Sequence, residues 1–574
     1  MAEQIERRTH RYFAGVCVVV LALLASTGGV ACRRGPARRG GDADARGDAG
    51  RRGVESLPQR RLPDPPPLLP SPEAVTRPAT AGRGGVLRVH LEAEPAHLNP
   101  LMDVEVTALQ VVSGLVYEPL LECPTPGSGG GYRPALAESW QVSTDGLKVA
   151  LRLRAGVKWH DGHGFNVLDV QATLEPLLMA NGSGSPILRA SLQDVASIEL
   201  AADHVVRLVL RRPSDLVLRA LCDIPILPDH LLRGPTADPA GLGRLPVGTG
   251  PFRLAGWERG RRIRLARWAG YWAEPAALND ILFEIDGDGA RALARARRGE
   301  IDVVPRVLAV HYPDEVDPVS LHGTLTLVRV ETNRWAYLAV NHRRAPLGDA
   351  RYRRALAALW DREAFAVDLH RGLARPIATP PIAPPGPLPA SGRAQAIALF
   401  DAAGYHDADA DGVRDLGGGA IRHQLLLAGG SRTAATESRA FVLEARRAGV
   451  LIDTLAVEPA ALLARVRKGD FDLALMQWQG RPDEDPALYF TPGGPFAVAG
   501  YKSAEVDGLL ESLRRAPGPV ARLPLAASLA AVFARDQPVI ALYRFDQPVL
   551  VAVRAHGVAA VGDRLDLRKA WVDP

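Results

Sequence analysis

The sequence predicts an α/β fold with mixed sheets, because strand-like and helical patterns alternate along most of the chain. The run Val86–Leu91 has apolar residues at alternate positions, which is typical of a strand with one buried face. The segment 349–372 has apolar residues spaced three and four apart, which is typical of an amphipathic helix. A chain of 574 residues is also too long for one compact core, so we expect two to four domains.

The same two patterns recur in order along the chain, and neither is confined to one part of it. Further predicted strands cover 148–157, 204–212, 262–268, 280–285, 324–330, 337–341, 423–429, 471–478 and 538–545. Predicted helices cover 107–122, 349–372, 392–404, 438–449, 460–469 and 504–516. This interleaving favours mixed sheets over separate all-α and all-β domains.

The net charge of +5 lies outside the predicted folded part of the chain. Between Arg33 and Gly84 there are 11 arginines against 6 acidic residues, which accounts for the whole excess of positive charge. The rest of the chain is close to neutral, so no predicted domain carries the basic surface that nucleic-acid binding needs. Nucleic acid is therefore not an expected partner.

The N-terminus is predicted to be an export signal. Residues 1–32 contain a basic start, a short apolar stretch and small residues that lead to Cys32. The ending Gly29-Val30-Ala31-Cys32 is similar to a bacterial lipobox, in which the cysteine carries the lipid, although Gly29 stands where leucine is favoured. The alternative is an ordinary cleaved signal with a coincidental cysteine.

Residues 33–83 are predicted to form a disordered tether. They are rich in Arg, Pro and Gly and hold almost no large apolar residue, so they cannot bury enough surface to fold. In the exported body, Cys123 and Cys222 are the remaining cysteines. In an oxidising compartment they form either a disulfide or two buried thiols, and the sequence leaves both alternatives open.

From about Gly84 to its end, the chain carries motifs that resemble one known family in the same order. They include "EPAHLNPLMD", "RPALAESWQVSTDGLKVALRLRAGVKWHDGHGFNVLDV", "PVGTGPFRLAGWERGRRIRLARWAGYW" and "KGDFDLALMQWQG". These resemble segments of the bacterial extracellular solute-binding proteins of family 5, the peptide- and nickel-binding components of ABC importers. We therefore expect an exported binding protein that delivers its solute to the permease and ATPase subunits of a transporter.

The resemblance implies a two-lobed, periplasmic-binding-protein-like fold of type II, in the large cluster that has an extra subdomain, with the ligand cleft between the lobes. Lobe one would comprise 84–325 and 542–574, with the extra subdomain at about 119–235, and lobe two would comprise 326–541. It also implies a monomer in the periplasm or at the cell surface, anchored to the membrane through Cys32.

The resemblance places Trp478 at the wall of the ligand pocket. Peptide binders of the family have an aspartate three residues after this tryptophan, which pairs with the free amino group of the ligand. Here that position is Arg481, and a guanidinium repels an ammonium group but binds carboxylates well. Either the ligand is anionic or not a peptide, or Asp483 takes over the role; otherwise Arg481 neutralises nearby acids.

Three further residues are candidate ligand contacts by resemblance. Glu94 and Ala96 follow the first strand, where family members pair their backbone with bound peptide as an added strand. Glu94 would meet a cationic group, unless it is only an exposed loop acid. Tyr337 lies beside the expected hinge, whereas Asn341 is expected to stabilise a strand end.

No metal, cofactor or catalytic site is expected. His160 and His163 are close in sequence, but no acid-rich or cysteine partner follows them. Residues 407–415 have half of an EF-hand pattern, and Gly418 stands where a bidentate glutamate is needed. The sequence lacks the nucleophile elbow, P-loop and zincin motifs, so an enzyme is not expected. The alternatives to an importer subunit for peptides are one for an anionic non-peptide solute, and a stand-alone sensor or chaperone-like binding protein.

Overall fold

The computed structural model describes residues 65–573, with gaps at 79–81, 103–104, 125–130, 180–181, 183, 203, 234–240, 318, 322, 382–385, 480–485, 492–496, 498–499 and 517. The predicted α/β class is confirmed. The strands are β1 Val86–Leu91, β2 Leu121–Glu122, β3 Arg133–Pro134, β4 Ala137–Val142, β5 Lys148–Leu153, β6 Val195–Ala202, β7 Val205–Leu210, β8 Phe252–Glu258, β9 Arg262–Arg267, β10 Asp280–Ile285, β11 Val303–Val304, β12 Leu325–Val340, β13 Ala374–Pro376, β14 Asp415–Leu416, β15 Gly419–Ala420, β16 Arg422–Ala428, β17 Leu451–Val457, β18 Leu473–Gln479, β19 Val539–Ala552, β20 Ala555–His556, β21 Ala559–Val561, β22 Arg564–Asp566 and β23 Trp571–Val572.

The helices connect these strands and cover their faces. They are α1 Val106–Val112, α2 Val167–Leu178, α3 Pro186–Ser191, α4 Leu216–Asp223, α5 Asp229–Leu232, α6 Gly289–Arg297, α7 Ala350–Ala358, α8 Arg362–Asp368, α9 Arg393–Ala402, α10 Arg432–Arg447, α11 Pro459–Lys468, α12 Ala487–Phe490, α13 Ala504–Arg515 and α14 Gly518–Asp536. Several begin at a residue whose side chain accepts a hydrogen bond from the first turn, as the sequence chemistry predicts. At α2, Asn166 and Asp169 form a reciprocal capping box.

Two long strands, β12 and β19, run from one lobe into the other. In the largest described sheet the strand order is β17-β16-β18-β12-β19-β11-β1-β10-β9-β8, and β13 also pairs with β19. The register between β12 and β19 shifts between Glu331 and Trp335. On one side of this shift the buried side chains form a single large cluster, and on the other side they form three smaller clusters. The chain therefore has two lobes that share two crossing strands.

The segment predicted to form the extra subdomain of lobe one, at about 119–235, contains a four-stranded sheet in the order β4-β5-β7-β6. Next to it, Cys123 and Cys222 form a disulfide across 99 residues of sequence, with their Cα atoms 5.4 Å apart. The bond joins the loop after β2 to helix α4. The structure thus selects the disulfide from the two alternatives that the sequence left open.

Part of the segment predicted to be a tether packs on lobe one. The Arg329 N–H donates to Pro67 O (2.9 Å), and the Leu69 N–H donates to Arg329 O (3.0 Å). Val75 is buried, with 8% of its surface exposed. These backbone bonds explain why a proline-rich stretch is held without a hydrophobic run of its own. Residues within 65–78 therefore pack on lobe one although the tether was predicted to extend to 83, while residues 1–64 lie outside the described residues.

The predicted helix 107–122 is largely wrong. Helix α1 ends at Val112, Gly114 has a φ of 72°, and the chain then forms a bridge and strand β2. A φ in the left-handed region suits glycine and stops the helical hydrogen-bond ladder. The apolar periodicity after Val112 arises because this segment is buried between other elements, and not from a helical face.

We predict that acid destabilises the protein in part through His423. This residue is 4% exposed, its Nε2 lies 2.8 Å from the Tyr352 hydroxyl, and burial lowers its pKa to about 4. In the unfolded chain the pKa is about 6.5, so between pH 6.5 and 4 protons bind preferentially to the unfolded state. The free energy of unfolding should therefore fall over that window, by up to about 3 kcal/mol from this group.

Chemical denaturation at pH 7, 5.5 and 4 would measure this effect. His423→Gln keeps a polar partner for Tyr352 but does not titrate. The variant should lose stability less steeply than the wild type as the pH falls. Parallel pH profiles for the two proteins would contradict the assignment.

Candidate ligand-binding site

A pocket lies at the crossing of the two lobes. Lobe one contributes the end of β1, the loop after β11, helix α1 and the β21–β22 hairpin. Lobe two contributes Gln479 at the end of β18, and the crossing strands contribute Thr332, Arg334 and Gln547. A solute in this pocket would contact both lobes at once.

The fold explains why polar side chains meet here. Strand β1 is parallel to both β10 and β11, so their carboxyl ends lie at one edge of the sheet. Glu92 and Arg306 leave this edge and form an ion pair at 3.2 Å. The polar run Glu331–Arg334 interrupts the apolar pattern of β12 at the register shift. An irregular crossing therefore carries the polar groups that a regular strand would not place there.

Arg334 is the most unusual charged group in the pocket. Its guanidinium stacks over the Phe545 ring, 4.8 Å from the ring centroid, and its Nε is buried without a hydrogen-bond partner. Burial, helped by the nearby positive charge of Arg306 and opposed by Asp563 and Glu92, lowers the pKa of Arg334 to about 10. The backbone is held in place, because the Arg334 N–H donates to Thr332 Oγ1 (3.1 Å).

The two lobes touch beside the pocket and again at a second set of contacts, between the segment 212–215 and helix α13. At the pocket, Gln479 Nε2 donates to Asp563 Oδ2 (2.6 Å). At the second set, the extra subdomain contacts lobe two through an ion pair between Arg212 and Glu511 (3.4 Å) and a backbone bond from Asp215 N to Arg514 O (3.2 Å). These contacts join lobe one to lobe two in this structure.

The structure places Trp478 and Tyr337 in the packing of lobe two. Trp478 lies opposite Trp335 in the β12–β18 register and meets the Tyr489 ring edge-on, with centroids 4.8 Å apart. Tyr337 stacks near Trp335 at 4.6 Å, and burial raises its pKa. Both are only partly buried against hydrophobic clusters of that lobe. Their contact with ligand stays a prediction.

Glu94 and Ala96 are engaged by lobe one itself. Glu94 Oε1 accepts from Trp257 Nε1 (2.9 Å), and its other oxygen accepts from the Gly260 N–H (3.1 Å). The Ala96 N–H donates to Glu105 Oε2 (2.9 Å). Peptide pairing at Ala96 would need Glu105 to move, and a cation at Glu94 would compete with these donors. Their role as ligand contacts stays a prediction.

Arg481, Asp483 and Cys32 lie outside the described residues. Asn341, expected at a strand end, follows β12 directly and is buried. Its Nδ2 donates to Gly469 O (3.0 Å) and Phe471 O (2.8 Å), which confirms the structural role predicted for it.

Among the described residues, two groups of side chains lie close enough together to hold a metal ion. Asp161, His163 and His230 come together because helix α5 lies against the turn at 160–164, and sequence reasoning missed the distant His230. In this group the His230 Nε2–Asp161 Oδ2 distance is 2.7 Å, and the two imidazole rings stack with centroids 4.0 Å apart. The other group is Asp407, Asp409 and Asp415, whose carboxylates accept backbone N–H groups of the same loop.

Sequence reasoning also missed the residues that line the pocket, among them Arg334 and Gln479. Two signals were present. The polar run at Glu331–Arg334 breaks an apolar strand, and Gln479 directly follows the tryptophan singled out by resemblance. What the sequence did not contain was the register shift that turns Arg334 toward the pocket.

Comparisons with known proteins were made for sequence and for structure. The profile described as "Bacterial extracellular solute-binding proteins, family 5 Middle" matches residues 131–498. The dipeptide-binding protein of Escherichia coli K12 is 26% identical over 304 residues, which is 49% of this chain and 55% of that protein. A probable di/tripeptide-binding protein 5 of Pseudomonas aeruginosa UCBPP-PA14 is 26% identical over 465 residues, which is 76% of this chain and 83% of that protein.

The match covers about half the length of some curated relatives, such as 49% of the di/tripeptide-binding protein 2 of P. aeruginosa. Among solved structures, HbpA2 from Haemophilus parasuis has a TM-score of 0.74 at 21% identity, covering 85% of this chain and 100% of that one. AppA from Bacillus subtilis, an oligopeptide-binding protein in complex with a nonapeptide, has a TM-score of 0.67 at 23% identity, covering 86% of this chain and 100% of that one. These similarities confirm the two-lobed fold. In the described part of the chain, no helix has both the length and the apolarity to cross a membrane.

Proposed function

Because the chain belongs to the bacterial extracellular solute-binding proteins of family 5, we propose that it is the substrate-binding component of an ABC importer for peptides or peptide-like solutes. It captures its solute outside the cytoplasmic membrane and delivers it to the permease, while a separate ATPase subunit supplies the energy. Relatives named as dipeptide- and di/tripeptide-binding proteins support this substrate class. The protein binds its solute without changing it chemically.

The observation that carries the proposal is the pocket shared by both lobes at the crossing strands. A solute that contacts both lobes is bound more tightly by the closed form than by the open form, and this difference drives closure. The crossing at Glu331–Trp335 supplies a point about which the lobes can turn, because the regular pairing of β12 with β19 is interrupted there. Closure would then report occupancy to the transporter.

We further propose that the protein is a monomer carried on a lipid at Cys32, in the periplasm or at the cell surface. A lipid anchor would hold the receptor close to its permease, and the low-complexity residues before 65 would provide reach.

Native mass spectrometry of the purified protein tests the proposed function. We expect bound peptides or peptide-like solutes to be carried through purification and released on denaturation. A thermal-shift panel of di- to pentapeptides should also raise the melting temperature, because a ligand that binds only the folded state stabilises it. The proposal is contradicted by a protein that is purified empty and that no peptide stabilises.

Arg481→Asp tests whether the ligand end near residue 481 is anionic. If Arg481 faces the ligand, the substitution should improve binding of peptides with a free amino group by about tenfold or more relative to their N-acetylated forms, since one ion pair of about 1.4 kcal/mol corresponds to that factor. Titration calorimetry on paired free and acetylated peptides measures the ratio. Arg432→Asp, an equal charge change at an exposed position of lobe two, is the control. Identical ratios in all three proteins would remove Arg481 from the site.

A further inference from the structure

Arg334 is a charged group that forms no ion pair within the described part of the chain, although the carboxylates of Asp563 and Glu92 lie in the same pocket. No described residue forms an ion pair with it, and its Nε is buried without a partner. Neighbouring arginines are satisfied: Arg306 pairs with Glu92 (3.2 Å), and Arg544 Nε donates to Thr332 O (2.7 Å). Arg306 and Arg544 are therefore held by other groups of the protein, whereas Arg334 is available to a group that enters the pocket.

A guanidinium nitrogen that is buried without a partner, as Arg334 Nε is, is costly because it loses water and gains no equivalent hydrogen bond. The Phe545 ring offsets part of this cost through a cation–π contact, which occupies the flat face of the guanidinium. The edge of the planar guanidinium carries its N–H donors, and this edge can form hydrogen bonds with a carboxylate. The ring therefore fixes the plane of Arg334 and leaves its donors for another group.

The charges around the pocket favour an anion over a cation. The lining includes three arginines, Arg306, Arg334 and Arg564, against the carboxylates Glu92 and Asp563. Glu92 is held by Arg306, and Asp563 accepts from Gln479 of the other lobe (2.6 Å). Both acids are thus engaged within the protein. An incoming carboxylate would pair with Arg334 without displacing an existing ion pair.

We propose that Arg334 binds a carboxylate of the solute at the crossing of the two lobes. The inference rests on the proposed function and names the group of the solute that the pocket recognises. Arg334 lies on β12 within the crossing, and Gln479 of lobe two and Glu92 of lobe one line the same pocket. A carboxylate at Arg334 therefore sits where the two lobes turn against each other. Its source is either the C-terminus of a peptide or an acid that is not a peptide.

Titration calorimetry with matched ligands tests the proposal. The probes are the tightest-binding peptide of the thermal-shift panel, the same peptide as its C-terminal amide, and glutarate as a non-peptide acid. We expect the wild type to bind the free acid at least tenfold more tightly than the amide. Arg334→Gln should reduce that ratio to about twofold or less by weakening only the acid. Arg432→Gln, the same substitution at an exposed position of lobe two outside the pocket, should keep a ratio near the wild-type value.

The outcomes separate the two proposals. Equal binding of acid and amide by the wild type, which requires no variant to fold, overturns the role of Arg334 and leaves the importer function standing. A ratio retained by folded Arg334→Gln overturns it as well. Binding of glutarate but no peptide supports the carboxylate site and replaces the peptide by a non-peptide acid. Binding of none of the probes overturns both the proposed function and the inference that rests on it.

Discussion

Replacing Arg353 by methionine is expected to lower the free energy of unfolding by about 3–5 kcal/mol. Arg353 is 3% exposed, on helix α7 of lobe two. Its guanidinium donates to three backbone carbonyls, Leu347 O (2.8 Å), Gln537 O (2.9 Å) and Asp536 O (3.0 Å). Methionine fills part of the volume but donates no hydrogen bond, so these buried acceptors lose their partner together.

Asp536 O and Gln537 O lie where helix α14 leads into crossing strand β19, and Arg353 therefore ties this turn to α7. Denaturant titration of the whole protein, followed by tryptophan fluorescence, measures the loss in free energy of unfolding. Arg354→Met is a matched control, because the same substitution is made one residue along the same helix at an exposed side chain. The control should stay within about 0.5 kcal/mol of the wild type. Equal effects for the two variants would show that the carbonyl contacts of Arg353 carry no special weight.

Removing the disulfide by Cys123→Ser with Cys222→Ser is expected to destabilise lobe one by about 4 kcal/mol, within a range of roughly 2–5. The bond closes a loop of 99 residues, which contains most of the extra subdomain, and a long loop restricts the unfolded chain strongly. Helix α4 would also lose its covalent link to the loop after β2.

Calorimetry of the oxidised wild type, the reduced wild type and the double serine variant measures this contribution. The reduced wild type and the variant should unfold at similar temperatures, both well below the oxidised protein. The variant itself should not respond to reductant. If reductant leaves the wild-type transition unchanged, the bond contributes nothing to stability under those conditions.

The sequence predicted features that depend on local pattern. Strands such as Val86–Leu91 and Leu473–Gln479 were predicted close to their observed bounds, because their apolar alternation follows directly from one buried face. Asn341 was placed correctly at a strand end, where a short amide side chain satisfies backbone carbonyls. The family resemblance supplied the two-lobed arrangement, which no periodicity in the chain reveals.

Features that depend on distant partners were not predicted. Glu94 contacts Trp257 across 163 residues of sequence, and Asp161 contacts His230 across 69. Neither contact can therefore be predicted from the local sequence pattern. The proline-rich stretch around Pro67 is held by the backbone of Arg329, and backbone pairing is nearly independent of side-chain composition. Arg334 shows the same limit, since the unpartnered Nε becomes visible only when its described neighbours have been placed.

The pairing of Pro67 and Leu69 with Arg329 has a mechanical consequence for a receptor held by its N-terminus. Arg329 lies in the first half of β12, on the lobe-one side of the register shift. In a protein anchored at Cys32 as proposed, the chain that leads to the anchor joins the described structure beside Arg329 of lobe one, close to the register shift. A force applied through such an anchor would act near the crossing strands, so we expect it to have little effect on the opening or closing of the lobes.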